Sequence, residues 1–399
     1  KLKTSAALTI NASSLTGSST IQTVAADKDI TVAGAITNNT DANTLTMMSS
    51  RDIIVSANIS GATGKSLNTN FYANTDNLGA GGYTLSAAVS TFGGNVFVGG
   101  GSKDTTSGCA ALYNCIAGYA NGDTNSVGGV AITGSINAGG GNITLNGLGS
   151  MTNSTSGDGI RLTGTGGSAL TTSGTGTMTL NGIATGLHNG IRIDTANLVA
   201  GSGLITLTGT TNSASSYAGS RLEGSASITS TGALSISGTS GSGYQGVWLT
   251  GTGAINVGGD ITIVGQNTST NWGVYADSSY TIKTTAGNIS LTGSGTSGVY
   301  LKANLLAGNS ATPTSGGTIT VNGTATGGSV ANYGIRVDTG SLISYGAMSL
   351  TGNSASAHAV YLHGSGTKVK SASNITINGT GSWGLTLYDS AFIQSTGGN

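Results

Sequence analysis

Arg161, Arg192 and Arg221 recur at nearly equal spacing, and the same beat continues through Trp248, Tyr275, Tyr300, Arg336, Tyr361 and Thr386. Each stands at the centre of a short segment of alternating apolar and polar residues, as in DGIRLTG, QGVWLTG and SGVYLKA. Arg, Trp and Tyr are the residue types that dominate binding hot spots. Aromatic faces suit sugar rings, and a guanidinium fork suits a carboxylate. If consecutive copies lie side by side, these positions form one outward file. Two uses are open to it. The side chains either stack on one another and stabilise the chain alone, or they form an interaction surface. The ligand-binding candidates are therefore Arg161, Arg192, Arg221, Trp248, Tyr275, Tyr300, Arg336 and Tyr361.

Two residues further along stand Thr163, Asp194, Glu223, Thr250, Asp277, Lys302, Asp338, His363 and Tyr388. Recurring carboxylates raise polysaccharide hydrolysis or lyase chemistry, with Asp194 and Glu223 as an acid/base pair, or Ca²⁺ binding. Yet Arg192–Asp194, Arg221–Glu223 and Arg336–Asp338 each place a cation two residues before the acid. Along a strand that spacing puts both on one face, so ion-paired ladders explain the pattern more simply. Only His188, His358 and His363 supply imidazoles, and no Ser/His/Asp arrangement emerges. No catalytic residue, metal or cofactor is expected, and the chain does not read as an enzyme. Cys109 and Cys115, in CAALYNC, are spaced to close a small disulfide loop, which fits an oxidising extracellular setting.

A further column is all hydroxyl: Thr144, Thr179, Thr206, Ser235, Thr262, Ser290, Thr320, Ser349 and Thr376. A solvated β-face accounts for it. An ice-binding face would need flat, regular flanks, whereas these are mixed (Asn142, Leu204, Ala233, Asp260).

The elements that carry these columns follow from the repeat. GNITLNG at 141 returns as GTMTLNG, GLITLTG, GALSISG, GDITIVG, GNISLTG, GTITVNG, GAMSLTG and SNITING, the last at 373. The second motif keeps the same beat, and a looser third segment (ASITSTG, YTIKTTAG, TKVKSAS) lies between them. Three short strands per period of about 29 residues leave no room for a βαβ unit, nor for the roughly 40 residues of a propeller blade. The expected fold is all-β, a single-stranded right-handed parallel β-helix. About thirteen coils stacked roughly 4.8 Å apart make a rod on the order of 60 Å long. Ile143 and Leu145, Ile205 and Leu207, and their counterparts should point inward, with Gly at strand ends supplying positive φ and tight corners.

Composition agrees. The chain has 399 residues, 70 Gly, one Pro, 37% hydrophobic and only 7% charged residues, with a formal charge of zero. Disorder demands low hydrophobicity and high net charge. Zero charge removes the long-range attraction to nucleic acid or anionic membrane, and no apolar run approaches the roughly 18 residues of a membrane span.

Runs such as DKDITVAGAITNN and INAGGGNITLNG resemble the repeats of filamentous-haemagglutinin-like exoproteins, the large secreted β-helical adhesins of two-partner secretion and related autotransporters. The resemblance implies a right-handed β-helix on a bacterial cell surface or secreted, with a role in adhesion, biofilm building or delivery. The partners it implies are host or neighbouring-cell glycans or proteins. Both ends look cut from a longer chain, so end-to-end self-assembly into filaments is an alternative. Residues 1–98 read as less regular coils and 130–399 as regular repeats. Residues 99–129 read as a protruding loop pinned by Cys109–Cys115.

Overall fold

The computed structural model describes residues 1–76, 81–100, 118–122, 128–149, 157–164, 169–212, 217–241, 243–309, 316–329 and 332–397. Among the described residues every regular element is a β-strand. Strands stack in parallel as a β-solenoid, about 12 turns at roughly 27 residues each. The turn is shorter than the expected 29 residues in part because early turns are tighter: Ile30 pairs with Ile53, and Ile36 with Ile59. Two compact units divide the chain, Lys1–Thr211 and Asn212–Asn399.

In the second unit one turn comprises strands Ile261–Asn267, Trp272–Ala276 and Thr281–Thr284. The first two strands of each turn share one sheet and the third lies in another. Alternation does the folding. In Ile261–Asn267 the buried and exposed positions alternate without a break, so one face enters the core while the other carries the polar residues. Ile261, Ile289 and Ile319 stand directly opposite one another and are fully buried. Ile143, Met178 and Ile205 form the equivalent interior file of the first unit. No turn could bury its apolar face alone; stability comes from the stacking.

The glycine that closes each first motif makes the expected tight corner, but without the expected positive φ. Gly238 and Gly265 are not among the positive-φ residues. A Cβ on Gly265 would lie 2.0 Å from the carbonyl oxygen of Gly273, and one on Gly238 2.0 Å from that of Gly246. Paired glycines therefore let the backbones of the first and second strands pass in contact at the corner. Left-handed backbone falls at other corners, after the third strand (Gly174 and Gly308, at 56° and 93°) and after the second. There Gly224, Gly251 and Gly364 adopt φ of 65°, 89° and 91°, and Thr195 and Thr339 are held at 56° and 59°.

The third strands are more regular than their sequences suggest. Ile228, Ile255, Ile282, Leu305, Leu342 and Val369 are buried along Ser227–Ser230 and its successors. Several end in a buried hydroxyl. Thr284 Oγ1 lies 2.6 Å from the Gly259 carbonyl, Ser344 Oγ 2.8 Å from that of Gly317, and Ser371 Oγ 2.6 Å from that of Gly346. These side chains satisfy corner carbonyls that the ladder leaves over.

Entry into the first strand is held by a side-chain ladder. Asn95 N–H donates to Asn68 Oδ1, Asn142 N–H to Asn95 Oδ1, and Thr177 N–H to Asn142 Oδ1, at 2.8–2.9 Å. In the second unit Asp260 and Asn288 take the same part. The mixed flanks of the hydroxyl column thus have a structural use.

The segment read as a protruding loop begins and ends in the sheet. Gly99 and Gly100 belong to strand Val96–Gly100, and Ala120–Asn121 pairs with Gly147 and Leu148. Cys109 and Cys115 lie outside the described residues.

Candidate binding face: an outward file of arginines and aromatic rings

Parallel register turns the second motif into a column. In the second unit Arg221 stands opposite Trp248, followed turn by turn by Tyr275, Tyr300, Arg336, Tyr361 and Thr386. Their strand neighbours, such as Val274 and Ala276 around Tyr275, are buried, so the column faces outward. In the first unit Arg161 stands opposite Arg192. The candidates of each unit are therefore brought together as expected.

The side chains touch along the column. The Arg221 guanidinium sits 4.0 Å from the Trp248 ring centroid, and the rings of Tyr275 and Tyr300 meet edge to face at 4.9 Å. Arg336 lies 5.0–5.7 Å from the rings of Tyr300, Tyr333 and Tyr361. Such cation–π contacts contribute about 0.5–1 kcal/mol each where exposed.

A second aromatic file, missed in the sequence, flanks the first. Trp272, Tyr333, His358 and Trp383 each lie three residues before a column position. Trp272 contacts Tyr300 at 4.9 Å and Tyr333 contacts Tyr361 at 5.2 Å. Along the file Tyr333 stacks on Trp272 at 6.2 Å and on His358 at 5.5 Å, while His358 meets Trp383 at 4.4 Å. The signal was present in WGVY, YGIR, HAVY and WGLT: an aromatic ring, then a small residue at the tight corner, then the inward aliphatic. The small residue is needed because a Cβ on Gly273 would approach Ser294 N to 2.3 Å. Tyr333 lies nearly parallel to Trp272 and to His358, at 10° and 12°, so these ring faces are turned toward one another.

The acidic file is ion-paired as its spacing suggested. Arg192 meets Asp194 at 3.2 Å, Arg221 meets Glu223, and Arg336 meets Asp338 at 2.6 Å. Asp338 is the most connected. Its Oδ2 accepts Arg336 Nε at 2.9 Å and Tyr300 Oη at 2.8 Å, and its Oδ1 lies 3.4 Å from His363 Nδ1. Burial opposes its ionisation, but the hydrogen bonds from Arg336 and Tyr300 outweigh that and hold its pKa below the ordinary carboxylate value. Burial, reinforced by the bond to Asp338, pushes the Tyr300 phenol well above its usual range. His358 is pushed down by burial, and its Nδ1 lies 2.7 Å from Thr386 Oγ1.

Arg161 differs. Its Nε donates to Thr163 Oγ1 at 3.1 Å, a hydroxyl standing where Asp194 stands in the next turn. The hydroxyl column is in register too, with Ser235, Thr262, Ser290, Thr320, Ser349 and Thr376 consecutive in the second unit. Among the described residues no group of three His, Cys, Asp or Glu is placed to hold a metal ion.

No family model, curated protein or solved structure matches this chain.

Proposed function

We propose that this chain is a structural and adhesive β-helical segment of a secreted or surface-attached bacterial protein, and that its outward aromatic–arginine face contacts glycans or proteins of a neighbouring cell. The unbroken run Trp248, Tyr275, Tyr300, Arg336 and Tyr361, buttressed by Trp272, Tyr333 and His358, carries this reading. Locking these side chains in stacks before a ligand arrives reduces the ordering cost of association. What the face presents is a comb of aromatic side chains, suited to the C–H faces and hydroxyls of a polymer laid along the strands' stacking direction.

The likeness of the repeats to filamentous-haemagglutinin-like exoproteins supports the secreted, adhesive setting. Low charge and a hydroxyl-rich surface suit an exposed extracellular scaffold. Pairing of Asp194, Glu223 and Asp338 with the arginine of the same strand favours binding over acid/base catalysis, since each carboxylate is already engaged by a guanidinium.

Glycan and protein arrays probed with the wild-type chain and with Tyr275→Ala and Tyr361→Ala test the proposal. Binding by the wild type that falls about tenfold or more in both variants, with the β-sheet circular-dichroism signal retained, is the expected result. Binding that both variants leave intact removes this face from the account.

A further inference from the structure

We propose that Arg161 forms a binding site for the carboxylate of one acidic sugar residue. The site rests on the adhesive reading above and names a ligand class for it. It lies wholly within the first unit.

Four arginines stand in the outward files, and three have a carboxylate two residues later on the same strand: Asp194, Glu223 and Asp338. Arg161 has Thr163 instead. A hydroxyl takes one hydrogen bond from Nε but does not neutralise the charge, and the terminal nitrogens of the guanidinium meet no carboxylate among the described residues. Arg161 is therefore the cation in these files whose natural partner, a bidentate oxyanion, is missing from its own strand.

The surroundings give that partner a place. A cavity of about 180 Å³ opens beside Arg161, lined by Thr84, Ala131, Ile132, Thr133 and Thr163. It exists because the column narrows there: Ala131 stands between Thr84 and Arg161 in register, a methyl group where the following turns carry long side chains. The volume is below the roughly 300–1,000 Å³ of pockets that enclose a drug-sized ligand, so it takes one ring of a longer chain. Its walls are almost wholly apolar, from Ala131, Ile132 and the threonine methyls, with Arg161 alongside. Apolar contact for the C–H face of a pyranose beside a cation for its carboxylate fits a uronic-acid-like residue. A neutral sugar leaves the guanidinium unmatched, and a simple carboxylate leaves the apolar walls uncovered.

The test uses the whole chain with glucuronic acid, glucose and acetate as probes, followed by NMR titration. Glucuronate is expected to bind at least tenfold more tightly than glucose or acetate, and to lose about tenfold or more in Arg161→Gln. Thr163→Asp should match that loss while keeping the arginine, because it gives Arg161 the partner that Asp194 gives Arg192. That pair already occurs in the next turn, so Thr163→Asp is compatible with the fold. Ser349→Ala, on the outward hydroxyl column of the other unit, should leave glucuronate affinity unchanged. Unaltered binding in both Arg161→Gln and Thr163→Asp overturns the site, and acetate binding as tightly as glucuronate overturns the sugar assignment. The array experiment with Tyr275→Ala and Tyr361→Ala fails or succeeds separately, since those residues lie in the other unit.

Discussion

Tyr300 Oη lies 2.8 Å from Asp338 Oδ2, the same oxygen that Arg336 bonds from its own strand. Tyr300 and Arg336 are register partners on successive turns. The ion pair within one turn is thereby tied to the aromatic column of the turn before it, and the outward files act as one layer of side chains. Asp338 is the node: only 7% of it is exposed, with His363 on its remaining side and Asp389 3.2 Å from the far nitrogen of that imidazole.

Asp338→Asn is accordingly expected to lower stability by about 2 kcal/mol at neutral pH, the range for hydrogen bonds to charged groups, measured as a lower urea midpoint. The sign with pH follows from the lowered pKa of Asp338. Its stabilisation is fully present above the unfolded carboxylate value of about 3.9 and is lost as pH falls through the lower folded value. Wild type and variant should therefore converge in acid. A gap between them that persists well below the folded pKa contradicts the assignment.

Gly265→Ala tests the tight corner. The new Cβ meets the Gly273 carbonyl at 2.0 Å, and overpacking against backbone costs about 1–3 kcal/mol or more. Gly328→Ala is the control, since nothing lies within 4 Å of a Cβ there; a surface change of that kind stays within about 0.5 kcal/mol. Equal thermal midpoints for the two variants would remove the close-approach explanation.

Ser344→Ala deletes a buried hydroxyl that lies 2.8 Å from the Gly317 carbonyl and 2.9 Å from that of Gly346. Leaving buried acceptors unmatched costs about 1–3 kcal/mol. Denaturant melts should show that loss, whereas Ser349→Ala, on the outward hydroxyl column, should change little. A Ser349 effect as large as that of Ser344 would mean the inward and outward faces are misassigned.

Tyr280→Phe should cost about 1 kcal/mol. The Tyr280 side chain is fully buried, and its hydroxyl donates to the Ala226 carbonyl at 3.0 Å, 54 residues earlier. Gly253 makes room for the ring: a Cβ there would lie 2.7 Å from Tyr280 Cε2. A Phe variant as stable as wild type in urea would show that this bond contributes nothing.

Much of this was legible in the chain itself. Period and alternation are strong signals because stacking needs the same inward position every turn, so Ile261, Ile289 and Ile319 could be aligned by eye. The Arg/Tyr column and its ion pairs followed from the same arithmetic. Tyr280 was hidden in the loosest of the three motifs, since an aromatic ring reaching two turns away leaves no local pattern. Ser344 and Thr284 gave no signal, because nothing in their own segment reveals which carbonyls a corner leaves unpaired. Trp272, Tyr333 and His358 were visible in sequence, but their contact with Tyr300 and Tyr361 depends on how sharply the glycine corner folds the two strands together. At Gly265 the tight corner was legible but its cause was not: the expected positive φ is a local property, whereas the close approach seen there depends on a second strand.

Everything here depends on successive turns lying in register. Ser235, Thr262, Ser290, Thr320, Ser349 and Thr376 occupy one outward file of the second unit. Spin labels placed pairwise at Ser235 and Thr320, Ser235 and Ser349, and Ser235 and Thr376 measure that directly by pulsed electron paramagnetic resonance. The distances are predicted to rise by about 4.8 Å for each turn added, to roughly 24 Å for Ser235 and Thr376, which are five turns apart. Distances that fail to grow in equal steps, or that scatter independently of turn number, would contradict the stacked-turn account.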